Sequence, residues 1–239
     1  MTLALDTTTP AGSVALVDDD GRVVDERRGD ASRTHAARLP AEILTVLDAC
    51  GVGLADVDLF AVASGPGSFT GLRIGIATIQ GLAFVHRRRV VGISALEALA
   101  QIASESQAPG AIVAPWMDAH RREIFSALYR VTDSAPFTPA RLVEIEAPSV
   151  GDPAATLRRW AEGDGPSLFV GDGAVLYGDT IRASFAHATI VDPPPLAGTI
   201  GRLAIVHARS GDAVDPASLR ALYVRRPDAE IALEKRALD

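Results

Sequence analysis

The sequence predicts an α/β protein in which one unit, three strands followed by helix, strand, helix, strand and helix (βββαβαβα), is used twice. Three observations carry this expectation. Apolar runs end in an acid at both Asp6 and Asp118, and two further strand-like runs follow each of them. Glycine turns at Gly65 and Gly171 then lie at similar distances behind those acids, each joining an apolar strand to a helix. The correspondence is one of elements rather than of residues, so the repeat is architectural.

In the first half, residues 2–6 form a strand, a Thr/Pro/Gly turn runs to Gly12, and 13–17 return as a second strand. Asp18, Asp19, Asp20 and Gly21 make a turn, 22–26 a third strand and 29–33 a loop. In the helix beyond it, Leu39, Ile43, Val46, Leu47 and Cys50 recur at the spacing of one buried face, and Gly51 stops it. Pro40 leaves two geometries open: a first turn near Arg38, where proline is tolerated, or a kink. Residues 58–64 then form an apolar strand, Gly65-Pro66-Gly67 a turn, 68–85 a long helix, 90–94 a strand and 95–105 a helix.

The second half repeats the order. Strands are expected over 111–117, 123–130 and 141–146, a helix over 153–162, and a strand over 167–170 that runs into Gly171-Asp172-Gly173. A helix over 174–185, a strand over 189–192 and a helix over 197–209 complete it. The expected lobes are 1–107 and 108–239, with the last helix a candidate to pack back on the N-terminal lobe, and 230–239 form a charged tail.

Composition removes whole classes of function. A chain of 239 residues buries roughly 70 % of its unfolded surface and needs no staples. With Cys50 as its single cysteine it forms no internal disulfide and no cysteine-built metal centre, which fits a cytoplasmic protein. The start, Met1-Thr2-Leu3-Ala4-Leu5-Asp6, lacks the basic region of a secretory signal. The longest apolar stretch, 74–85, is interrupted by Gln80 and falls short of the about 20 residues of a membrane span. A net charge of −7 opposes strong electrostatic binding to nucleic acid. Lys235 is the only lysine among 23 basic residues, so no Walker P-loop exists.

A duplicated βββαβαβα unit is the architecture of the actin-like ATPase and sugar-kinase superfamily (the ASKHA fold), whose two lobes offer their first hairpin turns to nucleotide phosphates. Here Thr7, Thr8, Thr9 and Gly12 in the first turn supply hydroxyls and backbone N–H groups for a phosphate, or else form an ordinary Thr-rich hairpin. The matching turn, Asp118-Ala119-His120-Arg121-Arg122-Glu123, has no glycine to allow close approach of a phosphate. In Gly65-Pro66-Gly67-Ser68-Phe69-Thr70-Gly71-Leu72-Arg73-Ile74-Gly75, Gly-x-Ser-x-Gly does not fit, and Ser68 reads as a helix N-cap. Gly67, Gly71 and Gly75 lie on one helical stripe, at ~1 kcal/mol per helical glycine. Something must approach that stripe closely: an element of the same domain, or a helix of a second chain. The five histidines, 35, 86, 120, 187 and 207, form no pair at metal-ligand spacing, so neither catalytic nor metal-binding residues are expected. The basic runs at 86–89, 121–122, 158–159 and 225–226 read as solvated faces unless folding gathers them.

Leu3-Ala4-Leu5-Asp6-Thr7-Thr8, Arg33-Thr34-His35 leading into Leu39-Pro40, the glycine segment from Gly65 to Gly75, Asp118-Ala119-His120-Arg121 and Leu222-Tyr223-Val224-Arg225 together resemble the TsaB (YeaZ) family over nearly the whole chain. The resemblance implies a non-catalytic relative of TsaD, the subunit that transfers threonylcarbamoyl to adenosine 37 of tRNAs reading ANN codons. It further implies pairing with TsaD, or with a second copy, through N-terminal helices, docking of the ATPase TsaE, and TsaC as the supplier of threonylcarbamoyl-adenylate. No cofactor is then required, with weak ATP or ADP binding in the cleft as an open alternative, and tRNA is met only within the complex. The His-x-x-x-His metal motif of the catalytic relative falls at Ser94 and Ala98, which are not ligands. The expected contact surface is Leu39, Ile43, Val46 and Leu47 with Phe69, Gly71, Leu72, Arg73, Gly75, Ile76 and Ile79. A charge at Leu72 or Ile76 is then expected to dissociate the pair without disturbing the fold. The rival reading is an autonomous ATP-dependent small-molecule kinase with Asp6 or Asp118 as base.

Overall fold

The computed structural model describes residues 1–225. Strands β1 (Thr2–Asp6), β2 (Ser13–Val17), β3 (Val23–Arg28), β4 (Leu59–Gly65) and β5 (Arg89–Ser94) form one sheet in the order β3-β2-β1-β4-β5. Strands β6 (Ile112–Asp118), β7 (Ile124–Val131), β8 (Leu142–Gly151), β9 (Leu168–Val170) and β10 (Thr189–Val191) form the other, in the order β10-β9-β6-β7-β8. Counted from its own first strand, each sheet has the same topology. That strand pairs antiparallel with the second and parallel with the fourth.

Strand alternation divides the core into layers. Along β1, Leu3 and Leu5 join one apolar cluster and Ala4 another. The first cluster takes its cover from α1 (His35–Cys50) and α2 (Phe69–His86). The middle layer holds α3 (Ala95–Ala103) and α7 (Ala197–Arg209), between the two sheets. On the far face of the second sheet, Ile112, Ala114 and Trp116 pack against α4 (Pro153–Trp160), α5 (Asp172–Leu176) and α6 (Gly178–Ser184).

The middle layer locks the halves together. Helix α3 touches β4 and β5 and also β6 and β7, while α7, late in the chain, lies across β1, β2 and β4. Small residues permit the close contact: a Cβ on Gly201 would stand 2.6 Å from Val17 Cγ2.

Three elements differ from expectation. Helix α1 begins at His35, ahead of a start near Arg38, because His35 and Arg38 in its first turn are buried and bond to the β1–β2 turn. Pro40 therefore lies inside the helix, where its missing N–H cannot bond to the carbonyl of Ala36, an exposed residue. The expected helix over 174–185 is two short ones, with a break at Tyr177. Strand β8 extends to Gly151, since pairing with β7 continues through two register irregularities. The charged tail 230–239 lies outside the described residues.

Candidate functional site

The β1–β2 turn is built around a buried acid. Asp6 Oδ1 accepts from the Thr8 N–H at 2.8 Å and from the Thr8 hydroxyl at 2.6 Å. Burial pushes the Asp6 carboxyl above the ordinary aspartate value, against those two hydrogen bonds, which favour its charged form. Helix α1 holds the rest of the turn. Arg38 donates to the carbonyls of Pro10, at 2.9 Å, and Ala11, and forms a salt bridge with Glu42 at 2.7 Å. His35 Nε2 lies 2.9 Å from the Thr9 carbonyl, and burial, with Arg38 beside it, holds its pKa below the usual histidine value.

Gly71 and Gly75 of α2, with Gly67 in the turn just ahead of it, fit against this same hairpin. A Cβ on Gly67 would stand 2.5 Å from the Thr8 Cβ, one on Gly71 would overlap the Thr7 carbonyl, and one on Gly75 the Thr7 hydroxyl. The close-approaching element is therefore the chain's own hairpin, and not a second protein. Ser68 caps the helix as expected, accepting from the Gly71 N–H at 3.2 Å.

Across the cleft, the β6–β7 turn carries three successive left-handed residues, His120, Arg121 and Arg122, at φ 58°, 56° and 65°. Such backbone costs roughly 1 kcal/mol or more per non-glycine residue. Asp118 accepts from the His120 N–H at 2.8 Å, and Asp172 accepts from the N–H groups of Asp118, at 3.1 Å, and Gly173, at 2.9 Å. Burial raises the Asp172 pKa against those bonds.

The chain's final described segment joins the end of β4 to the β6–β7 turn. Leu222 donates to the Ser64 carbonyl at 2.7 Å in the first lobe, and Arg225 donates to the Ala119 carbonyl at 2.7 Å and pairs with Glu123 in the second. Between them Tyr223 lies against Phe69, ring centroids 5.5 Å apart, and the Arg73 guanidinium sits 3.9 Å from the Phe69 ring centre. The open cleft beside them measures about 790 Å³ and is lined by Thr8, Thr9, Phe69, Asp118, Arg121 and Tyr223 among others.

This arrangement corrects several expectations. Of the four phosphate candidates, Thr8 and Thr9 line the cleft, whereas Thr7 is fully buried beneath α2 and Gly12 is buried against the Asp6 carbonyl. Leu39, Ile43, Val46, Leu47, Leu72, Ile76 and Ile79 are all buried in the chain's own core, and Gly71 and Gly75 lie under Thr7. None of these nine is exposed for a partner, so a charge at Leu72 or Ile76 would attack the fold itself. Only Phe69 and Arg73 of that set are exposed. Among the described residues, folding brings two of the basic runs to the cleft, through Arg121 and Arg225, whereas Arg88 pairs with Asp58 and Arg159 with Glu146. Arg38 escaped the sequence reading. Its signal was its position beside Leu39, four residues before Glu42.

The small pocket at the start of α7 offers a phosphate few free donors. At the start of α7 the N–H groups of Leu196 and Ala197 donate to Ser13 Oγ, at 3.1 and 2.9 Å, and that of Gly198 to Glu26 at 2.8 Å. The prolines 193–195 have no N–H to offer, and Arg28 holds the Pro193 carbonyl at 2.8 Å. The pocket they bound with Asp6, Gly12 and Asp172 is about 280 Å³, at the small end for ligand sites, and three aspartates, Asp6, Asp172 and Asp192, border it.

Two interlocked lobes of one topology, facing each other across a cleft, define the actin-like class. The activator of 2-hydroxyisocaproyl-CoA dehydratase from Clostridium difficile has this fold, with a TM-score of 0.50 at 10% identity over 88% of this chain and 96% of that one. Sequence narrows the class. Residues 28–189 match the family described as TsaD, tRNA N6-adenosine threonylcarbamoyltransferase. The tRNA threonylcarbamoyladenosine biosynthesis protein TsaB of Haemophilus influenzae is 43% identical over 124 residues, 52% of this chain and 51% of that protein. The match thus spans about half the length of that relative. YeaZ from Pseudomonas aeruginosa superposes with a TM-score of 0.73 at 30% identity, over 93% of this chain and 98% of that one. The chain belongs to the TsaB/YeaZ family. Among the described residues, no helix is long and apolar enough to cross a membrane.

Proposed function

We propose that this chain is an accessory subunit of tRNA threonylcarbamoyladenosine synthesis, acting in the cytoplasm by pairing with TsaD and supporting its modification of adenosine 37. One observation carries this reading. The outward side of α2 presents Ala77, Gly81, Phe84 and Val85, with Leu44 exposed on the adjoining α1, as an apolar face that none of the described residues covers; Phe84 is 77% and Val85 74% exposed. A Cβ on Gly81 would meet nothing within 4 Å. Small and apolar residues in this arrangement let a second helix approach closely. A second copy of the chain fits the same face, and TsaE and TsaC then act on the assembled pair.

The chain's own chemistry supports a scaffold. Ser94, at one position of the metal motif of the catalytic relative, caps α3 by accepting from the Glu97 N–H, and Ala98, at the other, is fully buried. The crowded turns argue against the kinase alternative and against a nucleotide cofactor of its own. Size-exclusion chromatography with TsaD of the same organism tests the proposal. Val85→Glu is expected to abolish co-elution while leaving the isolated chain folded, and unchanged co-elution overturns the surface. ATP turnover by the chain alone would overturn the scaffold.

A further inference from the structure

We propose that the mouth of the interlobe cleft binds an unpaired segment of RNA, stacking a base on Tyr223 and Phe69 and receiving phosphates at Arg73, Arg33 and Arg121. The inference rests on the family assignment and not on the pairing proposed above.

Two aromatic rings in contact are each 43% exposed at the rim of a concave site, although each would bury apolar area if turned inward. Arg73 adds a guanidinium over Phe69, and its Nε lies 3.5 Å from the Tyr223 hydroxyl, so the three side chains form one platform. Arg33 and Arg121 line the same cleft. In a chain of net charge −7, this is a local cationic site set against the overall field. Among the described residues, two acids line the cleft, Asp118 and Asp172, and both accept backbone N–H groups. Aromatic faces flanked by arginines are the chemistry that receives unstacked bases and their phosphates. A duplex keeps its bases inside and gives such rings nothing to stack on, which distinguishes this site from a merely basic surface.

The strap carrying Tyr223 makes the platform a property of the folded pair of lobes. Leu222 fixes it to Ser64 on one side and Arg225 to Ala119 and Glu123 on the other, so the ring is held across the opening.

The test is fluorescence anisotropy of the full chain with a labelled RNA hairpin whose loop contains unpaired adenosine, against a blunt duplex of equal length, over a range of salt. The hairpin is expected to bind more tightly than the duplex. Tyr223→Ala is expected to weaken hairpin binding by about tenfold, Tyr223→Phe to retain it, and Arg121→Ala to make the salt dependence shallower by about one ion. Equal binding of hairpin and duplex, no binding at low salt, or an indifferent Tyr223→Ala overturns the proposal. A melting curve checks the fold of each variant, and should Tyr223→Ala melt early, the salt slope of Arg121→Ala decides. Val85→Glu separates the two readings: it is expected to lose TsaD and keep the hairpin. Loss of RNA binding with intact co-elution removes this inference alone.

Discussion

A methyl group on Gly75 would overlap the hydroxyl of Thr7, and that hydroxyl, fully buried, has no hydrogen-bond partner among the described residues. Helix α2 and the β1–β2 turn are therefore matched to within one carbon atom.

Gly75→Ala is accordingly expected to destabilise the chain by about 1–3 kcal/mol through overpacking. Thr7→Ala removes the obstructing atom together with an unsatisfied buried hydroxyl, so the double variant should recover part of the loss. Denaturant unfolding of the two single variants and the double variant measures the coupling, and strict additivity would contradict the packing described. Gly81→Ala, in the same helix but facing open space, should instead stabilise the isolated chain by about 1 kcal/mol.

Leu72 is 1% and Val85 74% exposed, so the same charge should act differently at each. Leu72→Glu places a carboxylate in the core and is expected to cost more than about 4 kcal/mol. Val85→Glu should leave the melting temperature nearly unchanged. Circular dichroism melts compare them, and a stable Leu72→Glu would refute the buried assignment.

Arg38 is 2% exposed and ties α1 to the carbonyls of Pro10 and Ala11. Arg38→Ala leaves those carbonyls and Glu42 without their partner and should cost about 2–4 kcal/mol. Arg38→Lys should rescue little of this, because an ammonium lacks the planar fork that reaches two carbonyls and a carboxylate together. Unfolding free energies of the two variants settle the comparison.

His207 Nδ1 lies 2.9 Å from Asp212, and Glu97 on α3 stands 3.7 Å from Nε2. The Glu97 carboxylate is the foremost cause of a histidine pKa raised above its ordinary 6.5, with Asp212 adding to it. A raised histidine contributes its stability in full below the unfolded value and loses it as pH rises through the folded one. The chain should therefore lose stability as pH rises above 6.5, by less than about 1 kcal/mol because the pair is partly exposed. His207→Gln should flatten that part of the profile, and an unaltered slope would exclude His207 as its source.

The order of strands and helices was legible because each element carries its own period. Ser68 announces an N-cap and Gly51 a stop through local chemistry alone. The turn that Arg38 and His35 hold was not legible, since those contacts join residues more than twenty positions apart. The spacing of Gly67, Gly71 and Gly75 demanded a close neighbour but left its identity open.

Periodicity, turn chemistry and a small set of motifs thus determined from the sequence alone that this is a duplicated α/β chain of one family. Which apolar surface is covered was decided only by tertiary structure. Leu72, Ile76 and Ile79 point inward on α2, while Ala77, Phe84 and Val85 point outward. A helix apolar on both sides carries no local signal of which side meets the sheet. The choice falls to the β1–β2 turn, which only the glycine side can approach closely enough to pack.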